Sequence, residues 1–352
     1  MTFSDRLDFD LLRDLFGVGP GESDRAVIRA AANISSQLPQ LVISVAAREG
    51  MPIGTGSADA LRRARARADH YDLLYKEITA EVPARVRKGR SIAACYPPDL
   101  VRSSADIDLL VPDEATLWAA ALAVCGREDV ERIEVALIRH GDRTHVVLGL
   151  AWPTEDPLLD RDLRVELSTL ALAGDHPRVP PSPDLPADET LADLLCIADE
   201  RFSREFTVRD VLDTLMVFDH RPPRPDELAK AAAERAPELV ELMEKALAVA
   251  ETTVLAECVA ALRAPADAEL LRRSPAPADT PRAVVERLAR GLPVYGLLLR
   301  ETRRDWPASR LHEVDGLHLL CTPIADFLMV GSELVAEEDY HAAMRALEVC
   351  QP

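Results

Sequence analysis

Two aspartates separated by one apolar residue, Asp106-Ile107-Asp108, head the apolar run Leu109-Leu110-Val111. On a strand alternate side chains share a face, so both carboxylates point one way while Ile107 and Leu109 point to the core. Carboxylates held side by side repel unless positive charge lies between them, and an oxygen-bound divalent cation is the usual solution. Upstream, Val86-Arg87-Lys88-Gly89-Arg90-Ser91 sets a glycine turn among cations and a hydroxyl, and Arg102 follows. Backbone amides at a glycine can approach phosphate closely, with Ser91 as donor and Lys88 and Arg102 as countercharges. Arg90, a long cation directly after the glycine, could either bind phosphate or block it. Downstream, Val165-Glu166-Leu167 sets a third carboxylate between apolar residues. Together these residue types suit phosphate and metal chemistry.

Such residues need a sheet and short helices to hold them. Residues 82–87 read as a strand into the glycine turn and 91–95 as a short helix. Pro112-Asp113-Glu114 opens a helix to about Val124, its acids suited to a helix amino end. Strands at 132–139 and 144–151 flank a hairpin turn at Gly141-Asp142, and a third spans 163–170. His140 and His145 beside that turn are expected to be solvated rather than catalytic.

Upstream the chain reads as helical over 23–32 and 38–47. The glycines of 50–57 read as a flexible loop, because no strand precedes them and no Gly-Lys-Ser/Thr follows. Helical spacing resumes over 58–81, with Leu61, Ala64, Ala68, Tyr71, Tyr75 and Ile78 as candidate core positions and Arg62, Arg63, Arg65 and Arg67 on a solvated face. Proline-rich linkers are expected at 174–188 and 264–280, enclosing helices at 189–202, 208–218, 225–233 and 237–262. A last segment offers a helix at 281–290, strands at 317–321 and 327–330, and a helix at 337–349. No internal repeat is present.

At 352 residues the chain can build two or three structural units. Its six cysteines (Cys95, Cys125, Cys196, Cys258, Cys321, Cys350) form no Cys-x-x-Cys pair and read as small core hydrophobes of a reducing compartment. The first residues lack the blocks of a signal peptide and no apolar run suits a membrane span, so a cytoplasmic location is expected. A formal net charge of −19 opposes broad nucleic-acid binding. A local basic site remains open, since Arg85, Arg87, Lys88, Arg90 and Arg102 crowd the motif.

A glycine-serine turn after a short strand, then a helix, then a strand bearing Asp-x-Asp resembles the DNA polymerase β-type nucleotidyltransferase superfamily. More narrowly, Lys88-Gly89, Tyr96-Pro97, Arg102 and Asp106-Ile107-Asp108-Leu109-Leu110-Val111 resemble a bacterial branch known as nucleotidyltransferase family proteins. Toxin-type and aminoglycoside nucleotidyltransferases are more distant relatives. The resemblance runs from about Arg67 to Ser168. It implies an α+β fold, a small mixed β-sheet nucleotidyltransferase core flanked by helices, with a mainly helical C-terminal region. The expected division is an N-terminal helical region (1–66), the core (67–175), a helical domain (186–264) and a C-terminal α/β segment (281–352). The implied activity is Mg²⁺- or Mn²⁺-dependent transfer of a nucleoside monophosphate from a triphosphate such as ATP to a hydroxyl of a small molecule, peptide or protein. Asp106, Asp108 and Glu166 would be catalytic and bind metal, while Lys88, Gly89, Ser91 and Arg102 would meet the nucleotide.

The branch often carries a histidine where this chain has Ser168. The segment from Phe206 to Asp213 resembles an Arg-x-x-x-Asp helix that packs beside the family's active site; a surface ion pair between Arg209 and Asp213 is the plainer alternative. A nucleic-acid acceptor is disfavoured by the surface charge and a membrane partner by the absence of a span. The competing readings are a catalytically inactive nucleotidyltransferase-like binding protein of a biosynthetic pathway and a toxin-type transferase.

Overall fold

A computed structural model describes residues 2–176, 178–273, 281–331 and 334–349. Cys350, Pro177 and the stretch 274–280 of the expected second linker lie outside the described residues. The helices in chain order are α1 (Phe3–Arg6), α2 (Phe9–Leu15), α3 (Asp24–Ile34), α4 (Leu38–Arg48), α5 (Thr55–Glu81), α6 (Arg90–Ala93), α7 (Glu114–Arg127), α8 (Glu189–Asp199), α9 (Val208–His220), α10 (Pro225–Ala232), α11 (Ala236–Val249), α12 (Thr253–Arg272), α13 (Val284–Ala289) and α14 (Glu337–Val349). The strands are β1 (Arg85–Val86), β2 (Ile107–Leu110), β3 (Arg132–His140), β4 (Arg143–Trp152), β5 (Leu163–Ser168), β6 (Val294–Glu301), β7 (Arg310–Val314), β8 (Leu317–Cys321) and β9 (Ala325–Val330). The fold is α+β, with a large mixed sheet, many helices and a helical region in the C-terminal half.

Two compact units share the chain. The first is built from Met1–Asp72, Val86–Ile107 and Leu185–Ser274, the second from Leu73–Arg85, Asp108–Asp184 and Pro275–Pro352. The expected N-terminal and central helical stretches thus gather into one unit, and the C-terminal segment joins the sheet of the other.

Within the first unit, α8 and α9 form the centre, buried along nearly their whole lengths. Asp219 near the end of α9 takes the free amides of α1, accepting from Phe3 N at 2.9 Å and Ser4 N at 3.0 Å, the groups a helix start leaves unsatisfied. In α5, Leu61, Ala64, Tyr71 and Ile78 are buried as expected, but Ala68 is exposed and Tyr75 half-buried, while Leu74 is buried instead. The loop expected at 50–57 ends early, because α5 begins at Thr55. The helix expected over 237–262 is two: Thr252 turns extended and caps α12, accepting from Leu255 N at 3.3 Å. The expected linker from 264 is helical as far as Arg272. Pro265 removes one helical hydrogen bond, yet Leu262 and Ala266 are buried on either side, and that packing carries the helix through.

Among the described residues the sheet has nine strands in the order β1-β2-β5-β4-β3-β6-β9-β8-β7. The β3–β4 hairpin forms where expected, pairing His140 with Arg143 around Gly141, whose φ of 58° suits a two-residue hairpin turn. Strand alternation gives one fully apolar face: Ile133, Val135 and Leu137 on β3, Leu148 and Leu150 on β4, Val165 and Leu167 on β5. Helix α7 packs on β4 and β5 and buries Leu117, Trp118 and Val124 there. It starts as expected, with Asp113 accepting from Thr116 N at 2.8 Å. Strands β6 and β7 extend the sheet beyond the runs expected at 317–321 and 327–330. Helix α14 closes the cluster of Leu299, Leu319, Cys321 and Leu328 with Ala343 and Leu347.

Candidate functional site

Gly89 follows β1 with φ 87° and ψ −79°, a conformation closed to side chains, and α6 starts directly after it. Its carbonyl accepts from Ala93 N at 2.8 Å and from Arg102 Nη1 at 3.1 Å, so the turn is held from both sides of the motif. A Cβ at Gly89 would meet only Ser104 Oγ, at 3.5 Å, an ordinary contact. Gly89→Ala is therefore expected to lose about 1–3 kcal/mol through backbone strain alone. Chemical unfolding of the variant measures this, and a loss indistinguishable from zero would contradict the turn geometry.

Arg102 is the hub of a buried network. Its guanidinium forks onto Asp213, with Nε to Oδ1 and Nη2 to Oδ2 both at 2.7 Å, and the two side chains are only 7% and 4% exposed. The Tyr96 hydroxyl donates to Asp213 Oδ1 at 2.8 Å. Arg209 lies 3.9 Å from Oδ2 of Asp213 and donates to the Ser103 carbonyl at 3.2 Å. The Arg-x-x-x-Asp segment is thus a core element that grips the motif segment, and the plain surface ion pair is ruled out. Burial alone would raise the Asp213 carboxyl, but Arg102 outweighs it and holds the pKa below the usual range. Burial, and then the Asp213 charge, push the Tyr96 phenol well above its ordinary value.

Two other cations of the motif are also paired. Lys88 meets Glu200, and Arg90 turns away from the glycine to Asp72 on α5. Arg67 is not a purely solvated residue, because it and the Tyr71 hydroxyl both donate to the Ala105 carbonyl, at 3.3 and 2.6 Å. The backbone leading into Asp106 is thereby pinned to α5, with Ser104 Oγ donating to the Asp106 carbonyl at 2.8 Å.

Ser91 donates to Asp193 Oδ1 at 2.5 Å, and Arg221 donates to Oδ2 at 2.8 Å. Asp193 is 1% exposed, and burial raises its carboxyl despite both partners. Arg221 also reaches Cys95 Sγ at 3.2 Å; burial raises that thiol. Asp193, Glu200 and Arg221 were not read from the sequence. The one available signal was an aspartate in the otherwise apolar run Leu191-Ala192-Asp193-Leu194-Leu195, since a buried carboxylate needs a partner.

In the second unit, Asp108 on β2 is 7% exposed. Glu166 lies on β5, the neighbour of β2, and pairs in register with Gly149 on β4. Its carboxylate is 4.0 Å from Arg164, which also donates to Glu134 at 2.5 Å. Gly149 makes this possible: a Cβ there would come within 2.6 Å of the Arg164 guanidinium lying over it. Ser168 is fully buried and closes the end of β5, donating to the Leu170 carbonyl at 2.7 Å and accepting from Leu170 N at 2.9 Å. Among the described residues no group of three or more His, Cys, Asp or Glu side chains is gathered for a metal ion. His145 is not solvated as expected but 5% exposed, while His140 is half-buried.

Of the cysteines expected in the core, Cys95, Cys196, Cys258 and Cys321 are buried and Cys125 half-buried, all as free thiols. Among the described residues no helix is long and apolar enough to cross a membrane.

No family model matches the chain, and no curated protein sequence matches it. Among solved structures, JHP933 from Helicobacter pylori is similar at 14% identity and a TM-score of 0.31, over 58% of this chain and 94% of that one. An H. pylori protein described as a "putative nucleotidyltransferase" is similar at 13% identity and a TM-score of 0.28, over 60% and 99%. Likenesses this slight carry no argument about fold or function.

Proposed function

We propose that the chain is a metal-dependent nucleotidyltransferase, moving a nucleoside monophosphate from a triphosphate such as ATP to a hydroxyl of a small molecule, peptide or protein. The observation that carries this reading is the strand order β1-β2-β5. The strand entering the Gly89 turn, the strand headed by Asp106 and Asp108, and the strand bearing Glu166 are consecutive neighbours.

In this reading Asp106 and Asp108 would hold Mg²⁺ or Mn²⁺. Their oxygen donors suit a hard cation, and Mg²⁺ commonly takes one or two carboxylates and completes its shell with water and substrate phosphates, so a third protein carboxylate need not already converge. Bound there, the ion would supply charge neutralisation to the triphosphate. Glu166, on exchanging Arg164 for the acceptor, would take the proton of the attacking hydroxyl. The acceptor oxygen then bonds to the α-phosphorus as the bond to pyrophosphate breaks. Amides of the Gly89 turn, with Lys88 and Ser91 exchanging Glu200 and Asp193 for phosphate oxygens, would cradle the leaving group. Arg102, already committed to Asp213, would serve the nucleotide by holding the Gly89 carbonyl.

The protein incubated with each ribonucleoside triphosphate, Mg²⁺ or Mn²⁺, and hydroxyl-bearing acceptors is expected to release pyrophosphate. An Asp106→Ala/Asp108→Ala variant that keeps its circular dichroism spectrum should lose at least ~100-fold, as several kcal/mol of charge stabilisation are withdrawn. Equal rates in the two proteins would sink the reading. A second reading, a catalytically silent nucleotide-binding protein, is favoured by the pairing of Glu166 with Arg164 and of Lys88 with Glu200. Calorimetric binding of a triphosphate with no pyrophosphate released would select it.

A further inference from the structure

The second unit contains a cavity of about 780 Å³, lined by the residues that enter β1, the end of β2 and the turn after it, the start of α7, the start of β4, Thr169 just after β5, and Pro183 and Asp184. That volume lies within the range of small-molecule sites. Val111, Pro112 and Pro183 give it apolar wall.

Its polar groups divide into committed and uncommitted ones. Asp113 caps α7, and Glu114 accepts from Trp118 Nε1 at 2.9 Å and from Ser309 N at 2.7 Å. Arg85 and Thr144 also line it, and of the remaining groups His145, Arg143 and Asp184 are free to meet a ligand. His145 lines the cavity and is 5% exposed. Its Nδ1 lies 2.9 Å from the Thr169 carbonyl, which can only accept, so Nδ1 carries the proton and Nε2 is a bare lone pair. Among the described residues Nε2 has no hydrogen-bond partner, and it is not sealed in the interior either. A buried imidazole is thus held in one tautomer with its acceptor unanswered.

Arg143 and Asp184 line the same cavity on opposite sides of the charge ledger, both exposed, and each lies close enough to affect the imidazole electrostatically. Neither makes an ion pair among the described residues, with each other or with a third group. One unanswered cation, one unanswered carboxylate and one acceptor are complementary to a molecule with an anionic end, a cationic end and an N–H or O–H between them.

We infer that this cavity binds a small zwitterion of the amino-acid or dipeptide class, its carboxylate on Arg143, its ammonium on Asp184, and an N–H or O–H donated to His145 Nε2. Burial pushes the His145 pKa down, outweighing the Thr169 carbonyl, so the acceptor is present at neutral pH.

The test is calorimetry or amide chemical-shift titration of the full chain with seryl-serine, N-acetyl-seryl-serine and seryl-serine amide, in the absence of triphosphate. The unblocked dipeptide is expected to bind at least ten times more tightly than either blocked form. Arg143→Gln and Asp184→Asn, both at exposed positions, should each weaken it about tenfold and abolish the preference for the end they serve. His145→Gln, where folded, should weaken all three peptides. The inference is overturned by no binding of the dipeptide at millimolar concentration, by equal binding of a blocked form, or by unchanged affinity in both exposed variants. Because no nucleotide is present, any of these outcomes leaves the transferase reading standing.

Discussion

Asp213→Ala is expected to lower the stability of the first unit by about 3–5 kcal/mol, the usual cost of removing one partner from a buried ion pair. The reason lies in what is left behind. Arg102 is 7% exposed and would keep its charge with two of its strongest bonds gone, the Tyr96 hydroxyl would lose its acceptor, and Arg209 would lose its neighbour. Since Arg102 also holds the Gly89 carbonyl, the turn should loosen with it. The second variant to compare is Arg102→Met/Asp213→Leu, which removes both charges of the fork and leaves only the partly exposed Arg209, still bonded to the Ser103 carbonyl, without its carboxylate. It should recover most of the loss in stability without restoring the Gly89 contact. Urea unfolding followed by far-ultraviolet circular dichroism reads both, and a loss below about 1 kcal/mol for Asp213→Ala would mean the pair is not sealed from water.

The same pair has a pH signature. Asp213 has a folded pKa below its unfolded one, so its contribution is fully present above the ordinary carboxylate range and is lost as pH falls through the folded value. Tyr96 acts at the other extreme. Its folded pKa is raised, so stability declines once pH climbs past the phenol's ordinary value, where the unfolded chain ionises first. The Asp213→Ala variant should be flatter on the acid side.

Asp326→Ala should weaken the sheet unit by about 2–3 kcal/mol. Asp326 is fully buried at the start of β9 and accepts from Arg300 Nε at 2.6 Å and from Arg304 Nη1 and Nη2 at 2.6 and 2.8 Å. Charge-assisted bonds of this kind carry roughly 1.5–3 kcal/mol. The cost is smaller than at Asp213 because both arginines are partly exposed and can turn to water. The readout is built in. Arg304 stacks over Trp306 with its guanidinium carbon 4.7 Å from the ring centroid, and all three tryptophans (Trp118, Trp152, Trp306) belong to the second unit. Tryptophan-detected unfolding should shift for Asp326→Ala while reporting little directly from the helical unit. An unchanged midpoint would show that the fork does not contribute.

What could be read from the chain was whatever local chemistry announces. Gly141-Asp142 made its hairpin, and Asp113 capped α7, because those signals act within a few residues. The spacing of Asp106 and Asp108 was equally plain. The partners were not, since Ser91 meets Asp193 across 102 positions and Arg102 meets Asp213 across 111, and no periodicity reports a contact at that range. Arg209-x-x-x-Asp213 shows the middle case: the pair was visible, but whether it faced water or Arg102 depended on packing. Local rules also misled where tertiary contacts overrode them. Pro265 should have ended a helix and did not, and Ala68 had the spacing of a core position but lies exposed. His145 sat beside a hairpin turn and was still buried, because the backbone after β5 comes back against it through Thr169.

The interleaving of the two units has a consequence in time. Each is assembled from three separate stretches, so neither is a single contiguous segment of the chain. During synthesis the helices before Asp72 must wait for residues as late as Ser274 before their unit can close. At ordinary elongation rates that interval is roughly 10–40 s. The sheet waits longer still, because β6 to β9 emerge after Ser274 and Val294–Glu301 must dock on β3 before β9, β8 and β7 have an edge to join. A ribosome stalled before residue 274 should therefore carry two open, protease-sensitive units rather than one finished and one pending.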